Sequence, residues 1–340
     1  MESHLISNGI VLVMLFGTAA TIWAVRRSRL WSSAFVSLWH RRRLALLVTA
    51  VYVGVALLDS VAWVGGDSLG GDTVSLHEAR SVIDRVFGGS QEKSYSAPLA
   101  TTEFYGGRGL RYPGGHWLGT DMIGRDVFYL TLKGARVALL IGGLTSLIAI
   151  PLALLFGISA GYFGGRIDDV VFFLMTTLAS MPGLLLLIAL IMVMGKSTLA
   201  VCVALAVTGW VGFCRVSRGE TLKLRELEFV SAARALGVSE FQILTRHILP
   251  NLMHLVIITF VLMFSGLVLS EAILSWLGIG VDGSWGQMID QARNELSRDP
   301  IVWWNIAASG AALFGLILAV NFVGDALRDV LDPRTVKDEK

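Results

Sequence analysis

The residues able to do chemistry in this chain are few and badly spaced for it. Six histidines, His4, His40, His77, His116, His247 and His254, are scattered along 340 residues. No pair of them stands at ligand spacing on one recognisable element. Cys202 and Cys214 lie in or at the end of an apolar run. On a helix their separation is roughly 18 Å of rise, beyond disulfide reach. No metal site, no bound cofactor and no nucleophile–base set is expected, so the chain reads as non-catalytic. Two fragments imitate a phosphate-binding loop. Gly195-Lys196-Ser197-Thr198 ends as such a loop ends, but the glycine required at position 190 is Leu190. Gly119 and Gly124 have the glycine spacing, but Arg125-Asp126 follows in place of Lys-Ser/Thr. Both read as decoys. Asp59 and Glu271 are the two charges inside apolar runs, and such charges are functional candidates by default. Each either faces a wet pathway or partner helix, or is a buried pair or snorkelling end residue.

The elements that position these residues are membrane spans. Hydrophobic residues make up 54% and charged residues 16% of the chain, against roughly 25% charged in a soluble domain. The net charge of +2 leaves no nucleic-acid footprint. A span needs about 20 mainly apolar residues. Runs of that kind lie at 5–25, 44–65, 137–162, 170–194, 198–214, 252–276 and 303–324. The expected fold is all-α, a polytopic transmembrane helix bundle. The first run has no Lys or Arg before it and Arg26, Arg27 and Arg29 after it, which favours an uncleaved helix over a signal peptide. Pro151 and the Met181-Pro182-Gly183 step are expected to kink their helices. Gly142-Gly143, Gly157, Gly161 and Gly164-Gly165 allow close helix packing.

Orientation follows from the loops. Residues 26–43 carry six arginines and are placed in the cytoplasm, with 163–169, 215–251 and 325–340 on the same side. The 215–251 loop holds Arg215, Arg218, Lys223, Arg225, Arg234 and Arg246, whereas the short outer loops hold only Lys196, Arg293 and Arg298. Within 28–40, Trp31, Phe35, Leu38 and Trp39 share one helical face among arginines, the pattern of a helix lying in contact with membrane lipid at the interface. The outer stretch 66–136 is the most polar. There Ser75 and Glu78 form a capping box before Leu76, Ala79, Ile83, Val86 and Phe87 at helical spacing, stopped by Gly88-Gly89. This stretch is either a docking surface for a soluble partner or a packed cap.

The inner loop, 215–251, is too long for a turn. Leu227 to Leu236 reads as a short helix ending at Gly237. Ser239 with Gln242 makes a second capping box, and Pro250 ends or kinks the following helix where the next span begins. Ala232 and Ala233 present small side chains that permit close approach by another surface. A helix, a glycine break and a second helix joined to a span suit a lever.

The run Glu228-Phe229-Val230-Ser231-Ala232-Ala233-Arg234-Ala235-Leu236-Gly237, with Arg246-His247-Ile248-Leu249-Pro250-Asn251 after it, resembles the cytoplasmic coupling motif of binding-protein-dependent ABC importer permeases. Ser231 replaces the usual Glu and His247 stands at the usual Ile position; Ala-Ala, Gly and Leu-Pro are in register. Trp117-Leu118-Gly119-Thr120-Asp121 with Gly124-Arg125-Asp126, Glu271 to Gly280 with Ser284-Trp285-Gly286, and Gly324 to Asp329 with Leu331-Asp332-Pro333-Arg334 resemble segments of the dipeptide, oligopeptide and nickel branch. The extra first helix and the short Val281-Asp282-Gly283 link depart from it. The resemblance implies a type I importer permease fold of about six core helices plus one N-terminal helix, in a bacterial inner membrane. It implies an extra helix at 1–25, an interfacial segment at 26–43, a first core helix at 44–65, an extracytoplasmic region at 66–136, a permease core at 137–325 and a tail at 326–340.

It further implies that the chain lines half of a pathway for di- or oligopeptides. A second homologous permease lines the other half, two cytoplasmic ATPases carry ATP and Mg, and an extracytoplasmic solute-binding protein delivers substrate. Glu228, Ser231, Ala232, Ala233, Arg234, Gly237, Leu249 and Pro250 would couple it to the ATPases. The alternatives are an ABC permease for nickel or another small solute, and a self-contained secondary transporter or channel. The latter would need an ion relay, for which only Asp59 and Glu271 are candidates.

Overall fold

The computed structural model describes residues 42–63, 80–89 and 91–331. The expected span 5–25, all of the interfacial segment but its last two residues, the Ser75–Glu78 capping box and the end of the tail lie outside these residues. In chain order the elements are α1 (Arg43–Ser60), β1 (Ala62–Trp63), β2 (Arg80–Ser81), α2 (Val82–Phe87), α3 (Val127–Phe163), α4 (Gly165–Ser180), α5 (Gly183–Met194), α6 (Thr198–Leu224), α7 (Glu228–Ala235), α8 (Glu240–Ile243), a π turn (Leu244–Ile248), α9 (Leu249–Trp276), α10 (Trp285–Glu295) and α11 (Trp304–Leu331). Five helical stretches among the described residues are long and apolar enough to cross a membrane: α1, α3, α6, Glu240–Trp276 and Trp304–Asp329. The pair α4 and α5, bent by 94°, makes a sixth if taken as one span. Helices are what such runs must form, because a lipid-embedded backbone has to bond to itself.

Three local features differ from the expected ones. Helix α3 starts ten residues before the expected 137 and, at 37 residues, is about 55 Å long, well beyond the hydrocarbon thickness. It also continues through Pro151 as one helix. The helix near Ile83 begins only at Val82, because Arg80 and Ser81 pair as a strand with Trp63 and Ala62. Its cap is Ser81, whose hydroxyl accepts from the Asp84 N–H while the Asp84 carboxylate accepts from the Ser81 N–H.

The described residues form two compact units: those within 1–139 and 272–320, and those within 140–271 and 321–340. The first is organised by indoles. Trp285 donates to the Thr131 carbonyl at 2.9 Å and meets the Tyr52 ring edge-on at 5.8 Å. Trp304 donates to the Thr120 carbonyl at 2.9 Å. Gly119, at φ +73°, leaves no room for a Cβ, which would stand 2.5 Å from the Ser96 carbonyl oxygen. In the segment Gly119–Asp126, Asp121 accepts from the N–H groups of Ile123 and Arg125 and from the Arg125 Nε. Asp126 caps α3 through Phe128 and Tyr129 and takes His116 Nδ1 at 2.9 Å.

In the second unit, α3 and α6 approach closely. A Cβ at Gly157 would collide with Ser217, and one at Gly161 would stand 2.7 Å from the Arg218 carbonyl oxygen. Gly142 is likewise filled by Phe264, but Gly143 faces open space. Gly164 and Gly165, at φ +66° and +53°, make the turn from α3 to α4 rather than a packing face.

Candidate functional site

Helix α6 ends at Leu224, and three residues later Leu227 is the extended N-cap of α7. Only Val230 and Ala233 of α7 are buried. They join Tyr162, Ile243, Ile248 and Leu252 in one apolar cluster with Val238 and Leu224 at its margin. The strong amphipathicity of these eight residues explains the docking: small and β-branched apolar residues face in, Glu228, Ser231 and Arg234 face out. Ala232 and Ala233 therefore differ. Ala232 is exposed, whereas Ala233 packs inward against the chain's own residues. The sequence treats both as a surface for another molecule; burial assigns Ala233 to the loop's own core.

At the end of α7 the chain turns in a Schellman motif. The Gly237 N–H donates to the Arg234 carbonyl at 3.0 Å and the Val238 N–H to the Ala233 carbonyl at 3.1 Å. Gly237 sits at φ +78°. Ser239 then caps α8 by accepting from the Gln242 N–H. Pro250 does not end this helix. It lies in the first turn of α9, and the strain it brings is taken up just upstream by the π turn, where Leu249 N–H reaches back to the Leu244 carbonyl. Glu240 to Trp276 is thus one helical stretch, and Leu249 and the exposed Pro250 stand at its joint.

Arg234 points across the glycine. Its Nη2 donates to the Tyr162 hydroxyl at 3.2 Å, its guanidinium lies 5.6 Å from the Tyr162 ring centre, and its Nε is 3.7 Å from Glu240 Oε1. The Tyr162 hydroxyl in turn donates to Glu240 Oε2. Tyr162 raises the basicity of the exposed Arg234, with the Glu240 charge adding to it. Two further arginines hold the same corner. Arg225 donates to the Gly161 carbonyl at 2.9 Å, and Arg218 makes a two-pronged bond to Asp168 at 2.5 and 2.6 Å. Tyr162, Asp168 and Glu240 were not singled out by the sequence, although Glu240 follows the Ser239 cap and stands six residues after Arg234. The outward side of the loop carries large apolar groups, Leu236 at 84% and Phe241 at 74% exposed, with Leu227 and Phe229 also open.

The two intramembrane candidates are Asp59 and Glu271. Asp59 is 1% exposed at the end of α1. It accepts from the Ser81 hydroxyl at 2.8 Å and lies 3.6 Å from Arg136 and 4.0 Å from Lys133. Lys133 also contacts Asp84 at 2.5 Å, and Asp84 accepts from Tyr129. This is a part-buried ion-pair network centred on the buried Asp59, and the residues of α3 before position 137 supply its cations. Glu271 is buried in α9, one residue before Ala272. The imitation phosphate loop at Gly195 is helix punctuation: Gly195 closes α5, and Ser197 caps α6 by accepting from the Ala200 N–H at 3.1 Å. Among the described residues no His, Cys, Asp and Glu cluster could hold a metal, and both cysteines are free and buried.

Residues 153–337 match the family model described as "binding-protein-dependent transport system inner membrane component". The chain is 36% identical over 222 residues to the dipeptide transport system permease protein DppC of Bacillus subtilis (strain 168), covering 64% of this chain and 69% of that protein. It is 34% identical over 225 residues to the oligopeptide transport system permease protein OppC of the same organism, covering 65% and 73%. It is 36% identical over 222 residues to the glutathione transport system permease protein GsiD of Pectobacterium atrosepticum, covering 64% and 73%. An inward-facing structure of the MetNI methionine ABC transporter matches 60% of this chain and 97% of that one, with a TM-score of 0.49 at 20% identity.

Proposed function

Because the chain belongs to the family of binding-protein-dependent transport system inner membrane components, we propose that it is the transmembrane permease subunit of an ATP-driven importer for di- or oligopeptides. It is a multi-pass membrane protein whose apolar helices suit that role. The observation that carries the coupling reading is the α7–Gly237–α8 element: a short exposed helix, turned at a left-handed glycine and continuous through α8 with a membrane span. With the 215–251 loop in the cytoplasm, the apolar residues Leu227, Phe229, Leu236 and Phe241 enter a groove on an ATPase subunit, in the manner of an amphipathic helix in a cleft. Glu228, Ser231, Ala232 and Arg234 rim that contact. ATP and Mg belong to two such ATPase subunits, and a second, homologous permease completes the pathway. The folded segment 91–126, which exposes Trp117 and Met122, faces the solute-binding protein.

Peptide is the substrate class favoured by relatives named for dipeptide, oligopeptide and glutathione transport. Affinity purification of the tagged chain in mild detergent tests the assembly. The expected result is recovery of ATPase subunits and a second permease in fixed ratio. Recovery of the chain alone under every mild detergent tried would reject it.

A further inference from the structure

Three observations converge on one side chain at the end of α3. Tyr162 is buried by its ring in the cluster that seats α7, yet its hydroxyl reaches both flanks of the Gly237 turn: Arg234 before the glycine and Glu240 after it. The guanidinium also covers the ring. The corner that carries Tyr162 is itself fixed, since Arg225 holds the Gly161 carbonyl and Arg218 grips Asp168 just past the α3–α4 turn. A close α3–α6 approach at Gly157 and Gly161 leaves that corner no slack.

We propose that Tyr162 is the positioning residue through which the α7–Gly237–α8 element drives α3, so that displacement of α7 is delivered to two spans and not to α9 alone. Without the clasp, the Gly237 turn is held only by its two backbone bonds and by the packing of Val230 and Ala233. With it, α7 and α8 close on one hydroxyl and move as a unit with the end of α3. The bonds are charge-assisted, and of the three side chains only Tyr162 is buried while Arg234 and Glu240 are half exposed. The clasp makes no contact that binds solute or ATP; it acts through the helices it joins.

This inference rests on the importer reading, and the test separates the two. The whole complex is reconstituted in liposomes with wild-type chain, Tyr162→Phe or Glu240→Gln, and solute moved per ATP hydrolysed is measured beside the yield of assembled complex. Tyr162→Phe keeps the ring and loses the donor. Glu240→Gln keeps an acceptor for Tyr162 and loses the charge. Both are expected to assemble at wild-type yield and to hydrolyse ATP, with solute per ATP falling about tenfold in Tyr162→Phe and less in Glu240→Gln. A wild-type ratio in Tyr162→Phe would overturn the proposal. So would loss of assembly in both variants, which would make the clasp a folding contact only. Wild-type complex that hydrolyses ATP without moving solute would instead bring down the importer reading.

Discussion

The Val238 N–H donates to the Ala233 carbonyl at 3.1 Å across the turn at Gly237. That bond sets the angle at which α7 leaves α8, and it requires the φ of +78° that Gly237 supplies. An added Cβ at Gly237 meets open space, so Gly237→Ala carries only the backbone cost of a left-handed alanine, about 1–2 kcal/mol. Gly237→Asn is expected to be milder. Gly237→Pro is incompatible with both the φ and the N–H bond to Arg234. Thermal unfolding in detergent should rank the three in the order Asn, Ala, Pro, and an alanine variant as stable as wild type would contradict the motif.

Ala232 and Ala233 offer a sharper separation. Ala233→Glu places a carboxylate inside the apolar cluster with Val230, Ile243 and Ile248, at a cost of about 3–5 kcal/mol. Ala232→Glu adds an exposed charge and leaves the fold unchanged. The expected outcome is a low-yield, unstable Ala233→Glu chain. Ala232→Glu should be stable but recover less ATPase on purification. Equal behaviour of the two variants would show that α7 does not dock by the face described.

Asp84 provides a pH signature on the first unit. Burial pushes its carboxyl up, but Lys133, Tyr129 and the Ser81 N–H outweigh that and bring its pKa down to about 2 from 3.8. The folded value is depressed, so its stabilisation is present above the unfolded value and lost as pH falls from about 4 through about 2. Asp84→Asn removes it, about 1–2 kcal/mol after screening by solvent. Unfolding followed from pH 7 to pH 3 should find the variant's deficit shrinking as pH falls. A pH-independent deficit would contradict the ion-pair assignment.

Glu295 has the opposite sign. It is buried, its Oε2 accepts from Asn305 Nδ2 at 3.3 Å, and its Oε1 and the Asn305 Oδ1 have no hydrogen-bond partner among the described residues. Burial raises its pKa, with the Asp121 charge adding to that, while bonds to Asn305 and Tyr95 and the Arg298 charge oppose it. A raised folded value gives stabilisation that is present below the unfolded 4.5 and lost as pH rises through the folded pKa. Glu295→Gln removes the burden of the charge. At pH 8 it should unfold at or above the wild-type temperature; a clear loss there would show that the carboxylate is stabilised ionised.

Much of this architecture is legible in the sequence because the signals are local. Apolar runs mark the spans, Gly237 marks the turn, and Ser239 marks the start of α8. The Met181-Pro182 step marks a break, though nothing local sets its 94° angle. What stays hidden depends on partners far along the chain. Tyr162 and Glu240 are 78 residues apart, and Asp168 and Arg218 are 50 apart, so only the packing of α8 against the end of α3 and of α4 against α6 brings them together. The start of α2 at Val82 depends on a distant partner too. Ser81 stands three residues before Asp84, and the pairing of Arg80-Ser81 with Ala62-Trp63 places it just ahead of the helix. The partners of Asp59 are hidden in the same way, since Ser81, Lys133 and Arg136 stand 22 to 77 residues along the chain.

The measurement that bears most directly on the central claim is uptake of a labelled dipeptide series into proteoliposomes holding the purified complex and its binding protein, with and without ATP on the side of the 215–251 loop. The account predicts uptake that requires ATP and hydrolysis, stimulated by the loaded binding protein. Uptake by this chain without ATP, driven by an ion gradient, would contradict it.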